Sequence, residues 1–303
     1  MPMTRLALIT LLPVLVPRLI FSVRRGLVAV LLLLTCGVHG QTGETNAVGH
    51  ATVDSAQPAP RTDDNSRIAH QQLIEKKTKG RIDIYFVGDS ITRRWGASDA
   101  QYKDFLTNWT KNFFGWNAAN FGWGGDTVQN ILWRLQNGEL DEVNPKVIVL
   151  LAGANNLAGP VPAAGDTAKV EAVSRGIRAI LDAMKQKAPN SRIVLMGILP
   201  RNDGRNGTAL MPTINRINSR IAQFADGQSV RYVNINDRLA DPEGKLLAGV
   251  TVDGLHLSVK GYQIWADALK PIFTEWLGPA AKEDHAPPPT GDPSAQRPLS
   301  RGQ

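Results

Sequence analysis

The chain has 303 residues, 43% of them hydrophobic, with 34 Lys and Arg against 27 Asp and Glu and a single cysteine. That exceeds the length of one ordinary compact domain, and the two ends hold the excess. Four arginines (Arg5, Arg18, Arg24, Arg25) fall in residues 1–40, and without them the formal charge drops from +7 to +3. The remainder is mildly basic with no clustered Lys/Arg face among aromatics, so nucleic-acid binding finds no support.

Residues 1–40 lack acidic side chains. The apolar run at 27–34 follows Arg24-Arg25 and is too short to span a bilayer comfortably. Val38 and Gly40 then supply small residues at cleavage spacing, which is the order of a secretory signal removed near Gly40. An uncleaved anchor is the rival, because residues 6–16 are also apolar. A lipoprotein reading would use Cys36, but Thr35 fits poorly before it. A cleaved chain would be secreted or periplasmic, with no stable membrane span, no disulfide and no thiol nucleophile. Residues 41–65 are rich in Gly, Thr, Ala, Pro and Asp and read as a flexible linker. From Gly278 onward, Pro287-Pro288-Pro289 and little apolar content read as a disordered tail over 278–303. One domain remains, at 66–277, long enough for a substantial core.

Inside it, helices and strands alternate. A helix over 67–77 precedes a buried strand at 82–87. A helical region follows Ser90, with Trp95, Tyr102, Phe105, Leu106 and Trp109 packing within it. Further strands are expected at 117–121, 147–151, 193–198 and 230–235. Val128, Ile131, Leu132 and Leu135 recur at helical spacing, with Asp126 as N-cap and Gln129 completing a capping box. Val170 through Met184 and Ile214 through Phe224 mark two more amphipathic helices. A last helix starts near Ser258, and Pro271 is expected to kink or end it. Five strands with helical crossovers give an α/β fold, a parallel sheet covered on both faces.

Four stretches sit at strand ends, where open α/β sheets bind ligands. The first strand exits through Gly88-Asp89-Ser90, which puts a hydroxyl at the sheet rim beside the unpaired N–H groups of a helix start. Taken alone, this tripeptide favours a turn or a helix cap. After the second strand comes Asn120-Phe121-Gly122-Trp123-Gly124-Gly125-Asp126-Thr127. Its glycines imply a sharp turn or a close approach to a ligand, and spacing does not separate the two. Gly153-Ala154-Asn155-Asn156 follows the third strand; Asn155 has an amide to offer the same rim, but taken alone the two asparagines read as turn formers. After the fifth strand, Asp253-Gly254-Leu255-His256 sets a carboxylate and an imidazole three residues apart. The carboxylate there can accept from Nδ1–H and leave Nε2 free as a base. Of five histidines, His39, His50 and His285 lie in the ends, and His70 sits at the wrong end of the first strand, so a histidine base would be His256. A zinc site would need three or four clustered ligands, which this domain does not supply. Neither the Rossmann glycine pattern nor a P-loop follows the first strand.

Gly88-Asp89-Ser90, Gly125 within Gly-Gly-Asp-Thr, Asn155 and the Asp253/His256 pair resemble the four blocks of the SGNH (GDSL-type) hydrolases. The resemblance spans roughly residues 80–275. It is closest to the subgroup similar to the catalytic subunits of platelet-activating-factor acetylhydrolase, which shares Leu132-Trp133-Arg134-Leu135, Asn137-Gly138-Glu139-Leu140 and Leu199-Pro200-Arg201. Ile91 and Ala154 depart from the usual leucine and threonine, and Trp123 beside the glycine donor bears on the acyl pocket. The resemblance implies a three-layer flavodoxin-like fold and acyl-ester hydrolysis with no cofactor. Ser90 would be nucleophile, His256 base and Asp253 its orienting partner. The oxyanion hole would comprise the N–H groups of Ser90 and Gly125 and the Asn155 side chain. Asp89 would hold the turn. The substrate would be a small-molecule or glycan acyl ester, with carbohydrate O-acetyl esters favoured for an exported enzyme. Acyl transfer on the same residues, or a non-catalytic binding module on the same fold, are the competing functions.

Overall fold

A computed structural model describes residues 54–160, 167–203 and 209–296. The expected signal at 1–40, residues 41–53 of the expected linker and residues 297–303 lie outside the described residues.

The elements run α1 (Asp64–Lys76), β1 (Ile84–Gly88), α2 (Ser90–Trp95), α3 (Lys103–Phe113), β2 (Ala118–Gly122), α4 (Val128–Arg134), β3 (Val147–Leu151), α5 (Ala168–Lys187), β4 (Arg192–Met196), α6 (Met211–Ala222), β5 (Val230–Val233) and α7 (Val259–Leu277). The five strands form one parallel sheet in the order β2-β1-β3-β4-β5. β1 and β3 are buried along their whole lengths, as strands covered on both faces must be. The strand order reverses between β1 and β3, and the crevice at their carboxyl ends is where such sheets bind ligands. Register then places the site. Gly88 pairs with Gly122 on one side and Leu151 on the other, so β1, β2 and β3 end level. Ser90, Gly125 and Asn155 follow those ends by two, three and four residues and reach one rim.

An aromatic cluster packs around the end of α2. Trp95 lies 4.9 Å from the rings of both Tyr262 and Trp265 of α7, and Phe86 of β1 meets Trp109 of α3 edge-on at 4.7 Å. The Tyr262 hydroxyl donates to the Ile91 carbonyl at 2.7 Å, so the helix that follows His256 is bonded to the helix that begins at Ser90.

One expectation narrows and two need correction. Of the two outcomes expected at Pro271, a kink or an end, the second is excluded, because α7 continues to Leu277. Pro271 and Asp267, whose carbonyl loses its donor, both lie on the exposed side of the helix, where that loss costs less than in the core. The described part of the expected linker packs on the domain: Ser55 is buried, the Ala59 N–H donates to Gln129 O at 3.1 Å, and Asn130 Nδ2 donates to Ala59 O at 2.9 Å. Residues 278–296, expected to be disordered, run along the surface under polar ties. The Asp284 carboxylate accepts from the N–H groups of Gly115 and Asn117, the His285 carbonyl accepts from Arg81 N–H at 2.8 Å, and Asp292 N–H donates to Asp99 at 2.9 Å. Low apolar content concealed this segment, because main-chain bonds and prolines of preset φ hold it, with little contribution from side-chain burial.

Among the described residues no helix is long and apolar enough to cross a membrane.

Candidate active site

The turn after β5 is a short antiparallel loop, with Val252 N–H bonded to His256 O and Ser258 N–H to Val250 O. Its tip brings the Asp253 carboxylate back onto the next residues. Asp253 Oδ1 accepts from the N–H groups of Leu255 and His256 at 3.1 and 2.8 Å, and Oδ2 lies 2.7 Å from His256 Nδ1. That bond places the proton on Nδ1 and leaves Nε2 as the acceptor. Nε2 lies 2.9 Å from Ser90 Oγ. The three groups form one hydrogen-bonded line across a separation of more than 160 residues.

The electrostatics suit a neutral imidazole. Burial lowers the affinity of His256 for a second proton and Arg94 acts in the same direction, and together they outweigh the Asp253 hydrogen bond. Burial opposes the charge on Asp253, but the bonds from the His256 N–H and ring hold its carboxyl below the usual range. Arg94 also reaches Asp253 Oδ2 at 3.4 Å.

Asp89 is the N-cap of α2, with Oδ1 accepting from Ile91 N–H at 2.9 Å. Burial pushes its pKa up to about 7, with Asp126 adding to the shift and the Ile91 bond opposing it. A carboxyl held near neutrality puts less negative charge beside Ser90 than an ordinary aspartate would.

The glycine loop answers the question that spacing left open. A Cβ on Gly122 would lie 2.5 Å from Arg93 N of α2, so that glycine admits close packing of the helix. Gly125 has φ +79°, so it makes the turn. Its N–H and that of Ser90, the first residue of α2, are candidates for an oxyanion hole. Asn155 Nδ2 donates one hydrogen to Asp126 O at 2.9 Å, which fixes the amide's orientation and leaves its second N–H for a ligand. Asn156 has another job: its Oδ1 accepts from Val128 N–H at 2.9 Å and its Nδ2 donates to Gln129.

Asp126 is not the cap of α4. Thr127 is, with Asn130 in the capping box. Asp126 is fully buried and takes Arg134 Nε at 2.7 Å. Burial pushes its pKa up to about 6, against the pull of Arg134. Arg134 also bonds Glu139, Phe121 O and Gly88 O, tying the ends of β1 and β2 together. Glu139 continues to His70 Nδ1 at 2.8 Å. Arg201 braces the third strand end, donating to Ala154 O at 2.7 Å and in a fork to Asp203. Sequence reading assigned no role to Arg134 or Arg201. The available signal was a cation on the apolar side of a helix and one directly after a buried strand, where a charge persists only with partners. Trp123, expected to bear on the acyl pocket, is buried against α1 with its indole N–H on Ser66 Oγ at 2.8 Å. No group of three or more His, Cys, Asp or Glu able to hold a metal ion occurs among the described residues.

A serine, an imidazole and a carboxylate in one hydrogen-bonded line at the carboxyl rim of a doubly wound sheet suit an α/β acyl hydrolase. The chain belongs to the GDSL-like lipase/acylhydrolase family, whose model matches residues 86–264, more than half of its length. It is similar to platelet-activating factor acetylhydrolase IB subunit alpha1 of Bos taurus, 29% identical over 225 residues that cover 74% of this chain and 89% of that protein. The alpha2 subunit of Rattus norvegicus is 30% identical over 237 residues, covering 76% and 90%. A GDSL-like lipase from Bacteroides thetaiotaomicron has the same fold, with a TM-score of 0.53 at 20% identity over 69% of this chain and 98% of that one. The protein is therefore an ester-hydrolysing enzyme.

Proposed function

We propose that the protein is an exported serine esterase of short-chain acyl esters, acetyl esters above all, working through Ser90, His256 and Asp253. The observation that carries this reading is the unbroken line from Asp253 through His256 to Ser90. Ser90 Oγ attacks the ester carbonyl carbon while His256 Nε2 takes the hydroxyl proton, and Asp253 stabilises the resulting imidazolium. The oxyanion of the tetrahedral intermediate is held by the N–H groups of Ser90 and Gly125 and by Asn155 Nδ2. Collapse breaks the bond to the alcohol, which leaves with the proton from His256. Water, activated by the same imidazole, then releases the acid and restores Ser90.

Relatives named as acetylhydrolases support the preference for a short acyl group. The signal-like order of residues 1–40 supports export, and an exported esterase meets acetylated polysaccharides, which makes carbohydrate O-acetyl esters the favoured natural substrate. The test is a series of p-nitrophenyl esters of rising chain length, followed by acetylated glycans. The acetyl ester is expected to give the highest kcat/KM, with release of acetate from at least one glycan. A maximum at long acyl chains would overturn the substrate assignment.

A further inference from the structure

We propose that Arg61 is a positioning residue of the oxyanion hole, holding the Gly124–Gly125 peptide so that the Gly125 N–H faces the reacting carbonyl. The inference rests on the reading of Ser90 as nucleophile and Gly125 as donor. The carbonyl of Gly124 and the N–H of Gly125 are opposite ends of one trans peptide, so fixing one aims the other. Arg61 Nη1 donates to Gly124 O at 2.8 Å.

The loop needs such a lock. Two successive glycines make this peptide the easiest in the loop to rotate, and neither residue has a side chain to pack. The flanking backbone is held otherwise, with Trp123 N–H on Gly88 O at 3.0 Å and Asp126 buried on Arg134. Among the described residues the Gly124 carbonyl is taken by Arg61. The guanidinium lies close enough that a Cβ on Gly125 would come within 3.0 Å of Nη1.

Arg61 is itself held. Its Nε and Nη2 lie 3.1 and 2.9 Å from Asp63 Oδ2, and Asp63 is the N-cap of α1. Nη1 also lies 3.4 Å from Asp126 Oδ1. Two residues upstream, Ala59 is bonded to α4 through both its N–H and its carbonyl. A cation on the Gly124 carbonyl also polarises the peptide and makes the Gly125 N–H a stronger donor. A segment that composition marks as a linker thus completes the hole.

The experiment compares Arg61→Met, Arg61→Lys and Ser90→Ala in the full chain, reading kcat, KM and Tm on p-nitrophenyl acetate. Arg61→Met is expected to lower kcat per folded molecule by about 10- to 100-fold, less than outright loss of an oxyanion donor, with KM within about twofold. Labelling by a phosphonate, which forms a tetrahedral adduct, should slow in parallel. Arg61→Lys should recover part of both rates. A lowered Tm with wild-type kcat per folded molecule would reduce Arg61 to a structural tie and overturn the proposal. So would a raised KM with unchanged kcat, which would make Arg61 a substrate contact. If Ser90→Ala is inactive while Arg61→Met retains wild-type kcat, the reading of the site stands and this inference fails. Full activity in Ser90→Ala would instead remove the reading on which the inference rests.

Discussion

In the turn after β5, the His256 ring is oriented by a carboxylate only three residues away, whose side chain is 44% exposed. The glycine loop after β2 draws on partners much farther along the chain. It rests on a fully buried aspartate, an arginine eight residues on, a glutamate beyond that and a histidine from α1. In the proposed mechanism the difference follows from what each must do. A base needs one partner and access to water, whereas a backbone donor has to be held still by neighbours, since glycine cannot hold itself. Chemistry and stability therefore separate between the two regions, and substitutions can break each alone.

The largest effect on activity is expected in the turn. His256→Ala, or Asp253→Asn with its wrong tautomer, should lower kcat by about 10⁴ and leave Tm nearly unchanged. Steady-state kinetics and thermal melts on the same preparations check this. A large loss of stability would show that the turn is part of the structural core.

Breaking the other region should reverse the pattern. Arg134→Leu leaves Asp126 and Glu139 buried without their cation and is expected to cost about 3–5 kcal/mol in urea unfolding. Any activity that remains at low temperature should be limited by loosened loop geometry.

Neighbouring asparagines sharpen the contrast. Asn155→Ala should reduce kcat by about 10²–10³, or ~2.7–4 kcal/mol, with little change in KM. Asn156→Ala removes the acceptor of Val128 N–H and should cost about 1 kcal/mol of stability while kcat holds. A normal kcat with a lowered Tm in Asn155→Ala would remove that residue from the oxyanion hole.

The smallest effect concerns pH. In the proposed mechanism His256 acts as a base only when neutral, and burial with Arg94 lowers its pKa. The acid limb of kcat/KM should therefore fall below the ordinary imidazole value of about 6.5. Arg94→Gln removes a cation that opposes protonation, so the limb should move to higher pH. Movement in the other direction would contradict the assigned electrostatics.

How much of this was legible depended on the length scale of the cause. The strand at 147–151 was read to the residue, because five consecutive apolar positions admit little else than a buried strand. Ser90 and Asn155 taken alone read as turn or cap residues, and the four blocks together, through their resemblance to a known pattern, singled them out with Asp253 and His256; the structure joins Ser90, His256 and Asp253 in one hydrogen-bonded line. Asp126 was misread because a carboxylate before an apolar helical run is an ordinary cap, and its partner Arg134 meets it only after folding. Arg61 and the 278–296 segment were missed for a shared reason. Arg61 meets the Gly124 carbonyl, and Asp284 meets the N–H groups of Gly115 and Asn117; every residue possesses such main-chain groups, so no side-chain pattern marks these contacts.

The most direct test of the account is covalent. A serine-directed phosphonate should form one adduct, found by mass spectrometry on the peptide that contains Ser90, at a rate that follows the neutral form of His256. Ser90→Ala should take up no label and hydrolyse no ester while melting like the wild type. An adduct on another residue, or ester hydrolysis at the wild-type rate by Ser90→Ala, would contradict the central claim.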